Sequence, residues 1–153
     1  MIEKRLVTNA LVALLGTATA LPVGKGSIPR TTTGFKAPPY YVVQVVDVAA
    51  AGAPYADQNE DMEIVYQVTS VSGPTPGQSA SYGTLEQAEG LADKARQALI
   101  GRDPATSQWL HNLDIPSTSC TCRELETEPG ATNDPADGII SYVQRFRLGL
   151  TTA

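Results

Sequence analysis

Histidine is nearly absent from this chain: there is one, His111, in 153 residues, beside two cysteines, one tryptophan and two phenylalanines. Each scarcity excludes something. One imidazole and one cysteine pair are too few ligands to fill a tetrahedral zinc site, so no metal is expected. Cys120 and Cys122 stand two apart in a stretch that reads as a strand. Side chains so placed share a face about 6.5–7 Å apart, too far for a mutual disulfide. Two reduced thiols suit a product made in a cytoplasm. Charge is sparse, 18% against a usual ~25%. The balance of 11 Lys+Arg to 16 Asp+Glu gives a net charge of −5. With no basic block, the chain lacks what counterion-release binding to nucleic acid requires. No apolar run approaches the ~18 residues of a membrane span. No phosphate-binding loop, dinucleotide fingerprint or nucleophile elbow occurs, and no cofactor is expected.

What is present suits one domain over residues 1–153. Apolar residues make up 42%, enough for a core, and 13 Gly with 11 Pro imply long loops. No internal repeat, coiled coil or low-complexity tract is visible. Val7, Leu11, Leu14 and Ala18 recur at helical spacing, stopped by Pro22 and Gly24. Residues 1–20 also carry a faint secretory pattern ending in Ala18-Thr19-Ala20. Glu3 in the would-be basic region and the short Ala10–Leu15 apolar stretch favour the helix.

Residues 22–39 follow as an extended irregular arm holding Lys25, Arg30 and Lys36 and no acid. Tyr40–Val48 is a strand apolar on both faces, expected to be central or covered. Met62–Val71 alternates as a second strand. Residues 72–83 form a flexible Gly/Pro/Ser-rich insertion. Thr84 with Gln87 three residues on is a capping box. It opens a helix over Thr84–Ile100 with an apolar stripe of Leu85, Ala88, Leu91, Ala92, Ala95, Ala98 and Leu99. Ser117–Glu126 is a third strand, Glu128–Gly138 a turn-rich loop, and Ile139–Leu150 the last strand. In that strand Ile140, Tyr142, Phe146, Leu148 and Leu150 face the core, and Val143, Arg145 and Arg147 face away. The expected fold is α+β: a four-stranded, largely antiparallel sheet with two main helices packed on one face, in the order α-β-β-α-β-β.

Chemistry-bearing residues are isolated. His111, two after Trp109, has no nucleophile in a recognisable context. Asp57, Glu60, Asp61 and Glu63 fail the calcium-loop spacing and read as a solvated approach to the second strand. Glu124, Glu126 and Glu128 fall at i, i+2 and i+4, a row along one strand face rather than a carboxylate pair across a cleft.

The ordered set of motifs points further. Tyr66-Gln67-Val68-Thr69-Ser70-Val71 is followed by the helix Gly83–Arg102, then Trp109, Glu128-Pro129-Gly130 and the closing Tyr142-Val143-Gln144-Arg145-Phe146-Arg147-Leu148. With the amphipathic first helix and Pro38-Pro39-Tyr40, this set resembles the tail terminator proteins of long-tailed bacteriophages. The 72–83 insertion departs from the family pattern. The resemblance implies a structural virion protein without catalysis or cofactor. It implies a homo-oligomeric ring, expected to be a hexamer, at the head-proximal end of the tail. The ring would stop growth of the major tail tube protein and dock the head–tail connector or stopper protein. Double-stranded DNA would pass through the lumen without specific binding, and no membrane would be involved. Such a ring needs two complementary surfaces on each subunit. The expected subunit-interface residues are Glu124, Glu126, Val143, Arg145 and Arg147, with Arg145 or Arg147 meeting an acid across the boundary. Lys25, Arg30, Lys36, Pro74 and Tyr82, on the arm and the insertion, are the expected contacts to tube or connector. The competing readings are a stopper or adaptor of the same joint, a secreted binding domain if residues 1–20 are a signal peptide, and an enzyme built on His111 and a carboxylate.

Overall fold

The computed structural model describes residues 1–51, 60–74, 77, 83–134 and 138–152. The Val7/Leu11 periodicity folds as helix α1, Lys4–Thr19, ending where Ala20 turns left-handed at φ 57°. Val7, Leu11, Leu14 and Leu15 are its buried face. The expected second helix is α2, Leu85–Ile100. Thr84 caps it, accepting from the Gln87 N–H at 3.1 Å. The reciprocal half of the capping box is rerouted through Ser72. Its hydroxyl donates to Gln87 Oε1 and accepts from the Thr84 N–H.

Between the helices lie β1 (Val23–Lys25), β2 (Arg30–Thr31), β3 (Gly34–Phe35), β4 (Tyr40–Ala51) and β5 (Asp61–Ser72); β6 (Thr118–Asp134) and β7 (Ile139–Thr152) follow α2. The sheet corrects the sequence expectation. It has five strands in the order β1-β4-β5-β7-β6, and β2 with β3 makes a separate two-stranded sheet. It is mixed, because β1 runs parallel to β4 while the four long strands pair antiparallel. The element order is α-β-β-β-β-β-α-β-β.

The missed strands all lie in the arm, where Pro and Gly read as loop. Gly24 is in β1 for a reason of space: a Cβ there would sit 1.9 Å from the Ser27 carbonyl oxygen, so the arm folds back over a bare Cα. The Gly26 N–H donates to the Val43 carbonyl and the Lys36 N–H to the Pro29 carbonyl, closing the arm on itself and on β4.

The expected loop at Glu128–Gly138 is also corrected, since β6 continues to Asp134. Pro129-Gly130 is absorbed as a bulge, with Gly130 at φ 90° and the register shifting between Thr127 and Gly130. Bulges tolerate an unpaired residue and so hide a strand from periodicity.

Both helices cover one face of the sheet. Val7, Leu11 and Leu15 of α1, Leu91, Ala95 and Leu99 of α2, and Tyr41, Ile64, Tyr66, Val68, Phe146 and Leu148 of the strands form one core. Two buried hydroxyls tie the layers. Tyr41 donates to the Leu91 carbonyl at 2.7 Å, and Tyr66 shares a hydrogen bond with Thr8 at 2.9 Å. Burial holds both phenols above their ordinary pKa. No helix of the described residues is long and apolar enough to cross a membrane.

Candidate functional site

The five expected interface residues gather on the sheet face turned away from the helices, where Val65 and Val71 of β5 are buried and Val143, Arg145 and Arg147 of β7 are half-buried. Val143, Arg145 and Arg147 alternate along β7, opposite Thr69, Gln67 and Val65 of β5. On the other side Glu124 faces Arg147. The bulge between Leu125 and Thr127 swings Glu126 to the same arginine. Arg147 then bridges Glu124 at 3.3 Å and Glu126 at 2.7 Å, and it is raised in pKa chiefly by the Glu126 hydrogen bond. Its acids are therefore supplied within the chain. Arg145 reaches only Gln67 Oε1, at 3.4 Å, and forms no ion pair among the described residues. Val143 is half-buried between these polar neighbours.

Glu128 does not continue the row. The same bulge shifts the alternation, so Thr127 takes the open face opposite Arg145 and Glu128 turns to the helix side, where Gln144 Nε2 donates to it at 2.6 Å and the Tyr142 hydroxyl at 3.4 Å. Burial first, and the Glu128 carboxylate next, push the Tyr142 phenol up; Glu89 and Asp93 of α2 push it the same way. Gln144, fully buried and holding Glu128, carries no signal in the sequence beyond its place on the core face of β7.

The cysteines part in the same manner. The register shift between them pairs Cys120 with Leu150 of the core face and Cys122 with Gly149 of the open face. They are free thiols on opposite sides rather than neighbours on one. Burial raises the Cys120 thiol pKa, against an opposing pull from Arg123.

Arg123 is the residue that sequence reasoning missed most completely. It is 7% exposed, although it is an arginine on an edge strand. Its Nη1 donates to the Leu99 carbonyl near the end of α2 and, at 2.9 Å, to the His111 carbonyl. The Arg123 and Arg102 guanidinium carbons lie 4.8 Å and 3.9 Å from the Trp109 ring centroid. Trp109 is thus a platform for cations that staple the 101–117 connection to the helix. His111 contributes its backbone; its side chain is exposed at a groove lined by Ala10, Ala13, Leu14, Thr17 and Asp114.

The arm cations Lys25, Arg30 and Lys36 are all exposed, at the β1 edge of the sheet. Arg30 lies 4.9 Å from the Phe35 ring centroid across the β2–β3 hairpin. Pro74 is half-buried beside Gly73, and Tyr82 lies outside the described residues, as does Asp57. Beyond Val43, β4 has no outer partner among the described residues. The strand expected to be covered presents Val45 and Val46 at 43% exposure and Val48 at 36%. A shallow groove of about 580 Å³ lies at the far end of β5 and β7, lined by Ala49, Asp61, Glu63, Thr121 and Gly149. Among the described residues no cluster of His, Cys, Asp and Glu is arranged to hold a metal ion.

No protein-family model matches the chain, and no curated protein matches it.

Proposed function

We propose that this chain is a ring-forming structural protein of a phage head–tail joint, seated on the head-proximal end of the tail as a tail terminator. One observation carries the reading beyond the ordered motif resemblance. The sheet offers surface that suits neighbours: a face without a helix among the described residues, where Val143 and Arg145 are half-buried, and a β4 edge that beyond Val43 has no outer partner among the described residues and exposes Val45, Val46 and Val48. A long apolar edge invites pairing or packing unless something covers it. Assembly into a ring provides such a cover without any catalytic machinery. On this reading the partners are further copies of the chain, the major tail tube protein and the connector or stopper, and DNA threads the lumen past a net-acidic wall that does not grip phosphate. A stopper or adaptor of the same joint is the second reading, because it calls for the same self-association.

A nonsense mutation early in the gene separates these from other roles. The terminator reading expects tails of uncontrolled length that fail to join heads. A stopper expects tails of normal length beside heads that leak DNA. Normal infectious particles overturn both.

A further inference from the structure

Charge is segregated on this molecule. The 22–39 arm holds three of the eleven cations and none of the sixteen acids. Its Lys25, Arg30 and Lys36 are exposed and form no ion pair among the described residues. They surround a groove of about 430 Å³ lined by Val23, Ser27, Ile28 and Pro29. The arm also exposes apolar surface, with Ile28 at 41% and Phe35 at 63%. Its shape is held by β1, by the Gly26 and Lys36 backbone hydrogen bonds, and by Lys25 donating to Asn9 of α1.

The part of the molecule toward the other edge of the sheet carries the counterpart. Glu86, Glu89 and Asp93 fall at i, i+3 and i+7 on the exposed face of α2, one stripe of a helix. Glu128 of β6 accepts from the Tyr142 hydroxyl at 3.4 Å, and Glu89 and Asp93 add to the negative field there. None of the four forms an ion pair among the described residues, and Lys94 and Arg96 of the same helix form none with them.

We propose that the cationic arm of one copy docks on the Glu86/Glu89/Asp93/Glu128 patch of the next copy, with Ile28 and Phe35 against the Tyr142 ring. This rests on the ring reading and names the contact that would build it. The two surfaces differ, and they lie toward opposite edges of the sheet, β1 and β6. Such a contact is heterologous: each copy gives an arm and receives one, and the chain of copies closes when the rotation permits. Exposed charges set register and encounter rate more than strength, so the contact weakens with salt and leans on the apolar residues at its centre.

Charge reversal tests it. One variant carries Lys25→Glu, Arg30→Glu and Lys36→Glu; a second carries Glu86→Lys, Glu89→Lys and Asp93→Lys. All six positions are exposed, and a thermal melt checks that each variant keeps the fold; because Lys25 also bonds Asn9, a form carrying only Arg30→Glu and Lys36→Glu accompanies the first variant and is expected to lose assembly as well. In sedimentation velocity each variant alone should remain monomeric where wild type assembles. An equimolar mixture should reassemble, because each variant then meets an opposite partner on both sides. Zero-length carbodiimide coupling of mixed isotope-labelled and unlabelled wild type should join Lys25 or Lys36 of one copy to Glu86, Glu89 or Asp93 of another. If both variants assemble like wild type, the arm–patch contact is wrong while the ring reading stands. If wild type itself never assembles, both fall.

Discussion

Replacing Arg123 with methionine tests whether one buried guanidinium fastens the 101–117 connection to the core. The perturbation keeps the apolar stem and removes the charge and its donors. Wild type spends the desolvation of a 7%-exposed guanidinium on two backbone carbonyls, at 3.2 Å and 2.9 Å, and on the Trp109 ring. Hydrogen bonds from a charged donor contribute about 1.5–3 kcal/mol each, and a cation–π contact about 0.5–2 kcal/mol. Relief of the charge's own burial offsets much of this, since the nearby Cys120 thiol is no counter-ion. The Leu99 carbonyl stays buried without its donor, while the His111 carbonyl turns to water. The net loss is about 1–3 kcal/mol, dominated by the one orphaned carbonyl. A domain of this length then loses roughly 2–4 °C of Tm per kcal/mol. Urea denaturation gives the free energy, and amide exchange locates it: residues 102–116 and the last turn of α2 should lose protection while β4 and β5 keep theirs. A loss below ~0.5 kcal/mol with unchanged exchange would refute the stapling role.

Four further outcomes follow from the same structure. Leu15→Ala, at a fully buried position of α1, should cost about 2–5 kcal/mol in urea unfolding, whereas a loss under ~1 kcal/mol would mean that α1 is not part of the core. Gly90→Ala should stabilise by about 0.5–1 kcal/mol, because Gly90 is interior to α2 and a Cβ there meets nothing within 4 Å; destabilisation in thermal melts would contradict this. Thr84→Ala should cost ~1 kcal/mol by removing the cap to the Gln87 N–H, and Thr84→Gly only a few tenths. The phenols of Tyr41 and Tyr66 are raised by burial, so the folded state keeps protons that the unfolded chain releases near pH ~10. Stability from them is complete below that value and falls as pH rises toward the folded pKa. The urea midpoint should drop above about pH 10, with Tyr41→Phe flattening the drop; an identical slope in that variant would remove Tyr41 as a cause.

Periodicity made both helices legible, because each buries one stripe over four turns: Val7, Leu11 and Leu15 in α1, and Ala88, Leu91, Ala95 and Leu99 in α2. The long strands β5 and β7 were legible by their period-2 alternation, and β4 by its run of Tyr and Val. What stayed hidden was non-local or irregular. Strand β1 is three residues whose only strand signal is the β4 partner beside it. Bulges in β6 removed the period-2 rule that joined Cys120 to Cys122 and Glu126 to Glu128, and sent both pairs to different surroundings. Composition also misjudged β4: doubly apolar sequence implies cover, yet among the described residues its second half has no outer partner and exposes Val45, Val46 and Val48. The Glu124/Glu126 row and the Val143/Arg145/Arg147 face, expected as an anionic and a cationic surface for different neighbours, lie side by side on one face of the sheet. The acid expected across a boundary for Arg147 comes from its own chain. Arg123 had no signal, since nothing in an edge-strand arginine announces that a tryptophan loop will bury it.

Self-association into a closed ring is tested most directly by native mass spectrometry across protein concentration and at low ionic strength. A ring of six predicts one dominant species at six times 16.1 kDa, about 97 kDa, without a ladder of open intermediates. A spectrum holding only the 16.1 kDa chain at every concentration would contradict it.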